Sequence, residues 1–209
     1  MILRLAALTA VVLGLVVFLL FLQLIGKAPW SPPAMRHLRA MKDRAAAPDR
    51  VAPFSAADFA SLPHGRPPAE YARLEQRGVC FDGYVQNLLT APDGDIHFEL
   101  APTRRLPGGP ATVYVTAELT PQWGSGSARW SFERLGATLR PNRGGTGVWD
   151  TGPRRARLSG WLLYDFQHDA PPGSGPARRS TRLTGWEIHP VTRIEVRDEA
   201  DSSWREVER

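Results

Sequence analysis

Two stretches decide the fold: Val79-Cys80-Phe81-Asp82-Gly83-Tyr84-Val85 and, further on, Asp95-Ile96-His97-Phe98-Glu99-Leu100. In both, apolar residues recur at every second position, the period of a strand with one face buried. Val79, Phe81, Gly83 and Val85 share one face of the first strand, and Ile96, Phe98 and Leu100 share one face of the second. Pro92-Asp93-Gly94 lies between them as a tight turn, so the two strands are expected to pair.

Working outward, strands are expected at residues 112–119, 156–165 and 181–196, the last broken at Pro190, with a short edge strand at 204–207. Residues 130–139 hold the pattern of a short helix. Nineteen glycines and nineteen prolines agree with short strands joined by turns and argue against an all-helical chain. Three strands, a helical connection and two more strands, with Gly83 and Gly160 inside the first and fourth, resemble an OB-fold, because small closed sheets bend at such glycines. An SH3-like or other small barrel is the alternative. A near-repeat, Arg157-Leu158-Ser159-Gly160-Trp161 and Arg182-Leu183-Thr184-Gly185-Trp186, reads as two adjacent barrel strands that each bend at glycine and bury tryptophan.

Ahead of the barrel, residues 5–25 are apolar apart from Thr9, Gly14 and Gln23. A helix of that length reaches about 30 Å, the thickness of a bilayer's hydrocarbon core. The run is too long for a signal-peptide core, and the residues after it, Gly26 to Pro33, offer no good cleavage site. The expected organisation is therefore a transmembrane anchor over 1–27, a basic Ala/Pro-rich helical linker over 28–78 and the OB-like barrel over 79–209. The fold class is mainly β: a small closed or partly open barrel behind one transmembrane helix and short helical connectors.

Charge locates the protein. Of the 209 residues, 26 are basic and 21 acidic, a formal charge of +5. Arg4, Lys27, Arg36, Arg39, Lys42, Arg44 and Arg50 against Asp43 and Asp49 account for all of it, and the remainder of the chain is neutral. Lys27, Arg36, Arg39, Lys42 and Arg44 follow the span and are expected at the membrane surface, facing anionic headgroups. In the same stretch Ser31 is the expected N-cap of a helix with Pro32 at its first position. Met35, Leu38 and Met41 then recur at helical spacing, giving a helix that rests either on the lipid or on the barrel. Basic residues behind the span place the barrel on the cytoplasmic side of a bacterial plasma (inner) membrane, although neutral domains also translocate behind short signal anchors. The implied partners are the lipid bilayer and another envelope protein. Nucleic acid is disfavoured, because phosphate neutralisation needs a basic surface that the neutral barrel lacks, despite Arg104-Arg105, Arg154-Arg155 and Arg178-Arg179 and the aromatic Trp161.

Two further connectors lie in the linker: Ser55-Ala56-Ala57-Asp58 starts as a capping box, and residues 68–77 read as a helix closed by Gly78 with Tyr71 and Leu74 inward. The lone cysteine, Cys80, excludes an internal disulfide and a cysteine-built zinc site.

The candidate site residues are Asp95, His97, Asp165, His168, Glu187 and His189. Each histidine stands near a carboxylate, and the pairs Asp95/His97 and Glu187/His189 leave the same face of their strands. Imidazole with carboxylate suits zinc, iron or manganese, and an open coordination position would activate water. Against a divalent metal, the alternation places these residues opposite the core face, in water, where a carboxylate beside an imidazole merely orients it. A non-enzymatic binding module is thus the first reading, and a metal-dependent hydrolase the second. Finally, Gly185-Trp186-Glu187-Ile188-His189-Pro190-Val191, with Asp95 to Leu100 and Gly160 to Asp165 upstream, resembles a family of bacterial membrane-anchored proteins whose OB-like domain ends in a W-E-[IL]-H-P-V motif. That resemblance implies a fold and no catalytic residues.

Overall fold

The computed structural model describes residues 2–24, 26–105, 113–142, 144, 152–169 and 182–208. The expected strand start at Thr112, that at Thr181, and the Arg178-Arg179 pair lie outside them. The apolar run forms helix α1 (Ile2–Leu24), and a dipped segment leads into α2 (Pro33–Lys42). Strand β1 (Val51–Pro53) and helix α3 (Ala56–Ser61) follow, then β2 (Gly78–Thr90), β3 (Ile96–Ala101) and β4 (Tyr114–Leu119). Helices α4 (Pro121–Gly124) and α5 (Phe132–Leu139) precede β5 (Arg155–Tyr164), β6 (Arg182–Arg197) and β7 (Trp204–Glu206).

Strands β2, β3, β4, β6 and β5 neighbour one another in that order, and β5 pairs back onto β2 to close the barrel. All pairs are antiparallel except β4 with β6. Counted within the barrel, this is strand order 1-2-3-5-4-1 with a helix, α5, between the third and fourth strands. The fold is an OB-like barrel, as the strand spacing implies. Strand β1 adds to β2 in parallel, and β7 extends β6.

Alternation builds the core. Val79, Phe81, Val85, Phe98, Leu100, Leu158, Leu162, Trp186 and Ile188 point inward and are fully buried or nearly so. A register shift between Val85 and Asn87 turns β2 over, so that Leu88 continues the inner face. Both strand glycines mark close backbone approach: a Cβ on Gly83 would lie 2.5 Å from Ala101 O, and one on Gly160 would lie 2.1 Å from Pro190 O. Strand β6 runs through Pro190 without interruption, correcting the expected break; the irregularity appears as register shifts around Gly160 on the facing strand.

The linker belongs to the packed body. The Ser55 hydroxyl accepts from Asp58 N–H and the Asp58 carboxylate accepts from Ser55 N–H, the expected capping box, which sets Phe59 into the core. Residues 68–71 form one 3-10 turn rather than a longer helix, and Tyr71 stacks edge-on against Tyr164 and Trp186 at 4.6 and 5.3 Å. The near-repeat divides: Trp186 is buried, whereas Trp161 faces out between the buried Gly160 and Leu162. Register decides it: Trp186 pairs with Tyr164 and Ile188 with Leu162 on the inner face, so Trp161, one residue from Leu162, takes the outer one.

Helix α2 docks on the barrel. Its N-cap is Pro32, one position later than expected, with Pro33 as first helical residue. The Ser31 hydroxyl instead accepts from Ala28 N–H. Leu38 is buried, and His37 Nε2 sits 2.5 Å from the buried carboxylate of Glu75, which also accepts from Tyr164 N–H.

Candidate functional site

The site lies on the side of β3, β4 and β6 turned away from the core. Register places His97 beside Glu118, Glu99 beside Thr116, and Thr116 beside Glu187, so one polar row crosses three strands. Alternation alone leaves such a row in water. Here it is covered: Asp95, Glu118, Glu187 and His189 are all buried. The expectation of a wet face fails because Lys42 from α2 and Arg182 from β6 lie across the row.

Glu118 is the hub. One oxygen lies 2.8 Å from His97 Nδ1 and the other 3.0 Å from His189 Nδ1. His189 Nδ1 also meets Glu187 at 3.1 Å, and Arg182 holds the second Glu187 oxygen at 2.8 Å. His189 Nε2 faces Asp95 at 3.6 Å, beyond hydrogen-bond reach. Asp165 ends β5 in a turn: its carboxylate accepts from Gln167 N–H and pairs with His168 Nδ1 at 2.9 Å. Lys42 Nζ bridges the halves, 3.4 Å from Asp165 and 3.7 Å from Glu118.

These contacts set the protonation states. Burial favours a neutral Glu118, but bonds from His189 and His97 outweigh it and hold the carboxyl well below its usual range. His189 is likewise penalised by burial, yet Glu118 and Glu187 raise it to about 9. Burial lifts Asp95 to about 6, with His189 opposing. For Asp165, burial is outweighed by the His168 bond and by Lys42, giving about 2. Lys42 is raised: desolvation works against its charge, and Glu187, Glu118 and Asp165 overcome it.

All six expected residues thus converge on one polar network. His168 stands at its rim, 58% exposed, and makes its contact with Asp165. Sequence reading missed Glu118, Glu99, Arg182 and Glu75. Glu118 carried a signal, since Thr116 and Glu118 alternate with Val115, Ala117 and Leu119 in a strand otherwise wholly buried. Lys42 is a correction: expected on the membrane surface, it is buried against carboxylates. Arg44 is a second, because its guanidinium stacks over Trp161 at 4.7 Å. Arg36 binds the Pro29 and Ser31 carbonyls, Arg39 pairs with Asp43, and Lys27 is exposed. Cys80 is also confined to packing, burial pushing its thiol up.

A cleft of about 510 Å³ opens onto the network, lined among others by Asp93, His97, Glu99, Glu118, His168 and Arg182. It sits between the β2–β3 turn and His168, just past the end of β5. Fold and site together define the class: an OB-like barrel whose outer face carries a buried carboxylate–imidazole cluster, with one N-terminal helix apolar enough to cross a membrane. No family model matches the chain. No curated protein matches it either. Among solved structures, asparaginyl-tRNA synthetase from Entamoeba histolytica is similar over 73% of this chain and 27% of that one, at 15% identity and a TM-score of 0.33; the chain thus spans about a quarter of the synthetase's length.

Proposed function

We propose that this chain is a single-span protein of the bacterial plasma membrane whose OB barrel acts as a binding module at the bilayer surface. The observation that carries the proposal is the uncovered apolar helix: Ala7–Leu24 has a mean hydropathy of 2.7 and none of it is buried. At 23 residues, α1 is about 35 Å long, enough for the hydrocarbon core. Trp30, 55% exposed, follows it at the depth of an interfacial aromatic. The Lys27 and Ala28 amides bond back to Leu22 O, and α2 is docked, so the barrel hangs close under the membrane. The W-E-I-H-P-V ending supports a bacterial envelope setting by resemblance.

Charge supports a ligand other than nucleic acid. Asp93, Glu99 and Glu118 line the cleft against Lys42 and Arg182, and both cations already face carboxylates. A phosphate backbone would meet net negative charge there. The bilayer and a second envelope protein are the proposed macromolecular partners. The barrel is placed on the cytoplasmic side, because insertion reads Lys42 and Arg44 while the chain is still unfolded.

Alkaline carbonate extraction of membranes tests the anchor: the full chain stays in the pellet and a chain without residues 2–24 leaves it. N-terminal sequencing that finds the mature chain cut between residues 26 and 33 overturns it. A periplasmic reporter fused after Arg209 stays silent if the side is right. The second reading, a metal-dependent hydrolase, is favoured by the Asp95, Glu118 and His189 arrangement. Turnover of p-nitrophenyl phosphate or acetate by the purified chain with zinc or manganese, lost in Asp95→Asn, would establish it.

A further inference from the structure

We propose that Asp95, Glu118 and His189 bind one first-row divalent metal ion, with Glu187, Arg182 and His97 as the outer groups that hold the ligands in place. One ligand atom from each of the three lies within 4.8 Å of the others, and all three residues are buried. Tetrahedral zinc with bonds near 2.0–2.2 Å needs its ligand atoms about 3.5 Å apart, so closing on a metal draws the set in by roughly an ångström.

The independent observation is on His189. The residue is 0% exposed, and its Nε2 has no hydrogen-bond partner among the described residues. A buried ring nitrogen without a partner forgoes a hydrogen bond and carries the desolvation cost of that atom. Its other nitrogen, Nδ1, is committed to Glu118 and Glu187 at 3.0 and 3.1 Å. A histidine that ligates metal through one nitrogen donates its other N–H to a carboxylate, which fixes the tautomer and raises the ligand's basicity. A metal ion would displace the proton from Nε2, leaving Nδ1–H to donate and the Nε2 lone pair on the side of the Asp95 carboxylate 3.6 Å away.

The outer groups fit the same plan. Arg182 grips Glu187 at 2.8 Å and leaves one Glu187 oxygen for His189. His97 holds one Glu118 oxygen at 2.8 Å. Imidazoles aside, the carboxylates of Asp95, Glu118, Asp165 and Glu187 exceed Lys42 and Arg182 by two negative charges, and a divalent cation that displaces the His189 proton takes up that excess. Imidazole beside two carboxylates selects zinc, manganese or ferrous iron over calcium and magnesium, which prefer all-oxygen shells. Glu118 lines the cleft and supplies the path in.

The test is calorimetric titration of the full chain in detergent, after chelator treatment, with Zn²⁺ and Mn²⁺. One ion per chain is expected, with X-ray absorption of the zinc form showing a single imidazole. Asp95→Asn, which removes a ligand charge, weakens binding by about 10-fold or more, and Glu187→Gln, outside the set, weakens it about 10- to 100-fold by loosening the ring. If His189→Gln fails to fold, these two variants and the absorption spectrum still decide. Absence of saturable binding below millimolar metal overturns the proposal. So does binding unchanged in Asp95→Asn and Glu187→Gln, or a spectrum without a histidine ligand. None of these outcomes depends on α1 spanning a membrane.

Discussion

The Lys42 ammonium lies 3.4 Å from Asp165 Oδ2, joining the last turn of α2 to the end of β5. The lysine is 16% exposed and the aspartate 1%. This contact converts the juxtamembrane helix from a tether into a wall of the site. Removing one partner of a buried pair costs more than the pair is worth, because the other charge stays desolvated. Lys42→Met is expected to destabilise the chain by about 2–4 kcal/mol, the lower part of the range for buried pairs since Lys42 keeps an edge in water. Denaturant melts measure the loss. A change below about 0.5 kcal/mol would show that α2 is not held there.

The pair formed by Asp165 and His168 predicts opposite pH dependences. Asp165 has its folded pKa held at about 2, below the ordinary aspartate value. Its contribution is complete above about pH 4 and is lost as pH falls toward 2. His168 is raised by the Asp165 hydrogen bond, against burial. Its contribution is complete below about pH 6.5 and is lost as pH rises through its folded value. Since His168 is 58% exposed, solvent screening keeps that contribution small, and the titration itself is the readout. An NMR titration should place the His168 ring above the ordinary histidine value, and Asp165→Asn should bring it back.

The barrel was legible because its inner face obeys a two-residue period: Ile96, Phe98 and Leu100 need no tertiary knowledge to be assigned a side. The six candidate residues were legible as pairs for the same reason. What period cannot reveal is whether a polar face is covered. Part of the cover comes from Lys42, remote in sequence from the strands it reaches and set in a stretch that reads as linker. The Trp186 and Trp161 motifs are nearly identical, yet the pairing register of β5 with β6 buries one ring and turns the other outward, and register is not written in either motif. Strand β1 escaped because three residues beside a proline carry too little pattern to register.

Gly160 is expected to tolerate no side chain. A Cβ there would stand 2.1 Å from Pro190 O and 2.9 Å from Ile188 Cγ2, both on the paired strand β6. Relief requires β5 and β6 to separate within the barrel wall, so Gly160→Ala should cost about 3 kcal/mol or more, the upper end of overpacking penalties. Gly126 has nothing within 4 Å of the corresponding position, and Gly126→Ala should stay within about 0.5 kcal/mol of the wild type. Thermal melts of the two variants side by side check the contrast.

The stretch after α2 is held by two indoles. Trp123 Nε1 donates to Arg44 O at 2.8 Å, and Trp161 Nε1 donates to Ala46 O at 2.7 Å. The Arg44 guanidinium stacks on the Trp161 ring, so this outward tryptophan serves the linker rather than a base-stacking surface. Phenylalanine at either position keeps an aromatic ring and removes the donor. Each hydrogen bond contributes about 0.5–1.5 kcal/mol, so losing both raises local opening by roughly tenfold or more. Trypsin cuts after arginine, and it must draw the chain around the Arg44–Ala45 bond, exposed at Ala45, out of the fold, which the two indole bonds oppose. The double variant Trp123→Phe/Trp161→Phe should therefore be cleaved there on the order of ten times faster than the wild type, with the barrel's melting transition shifted much less. Equal cleavage rates would mean that the strap is held by the contacts of α2 alone.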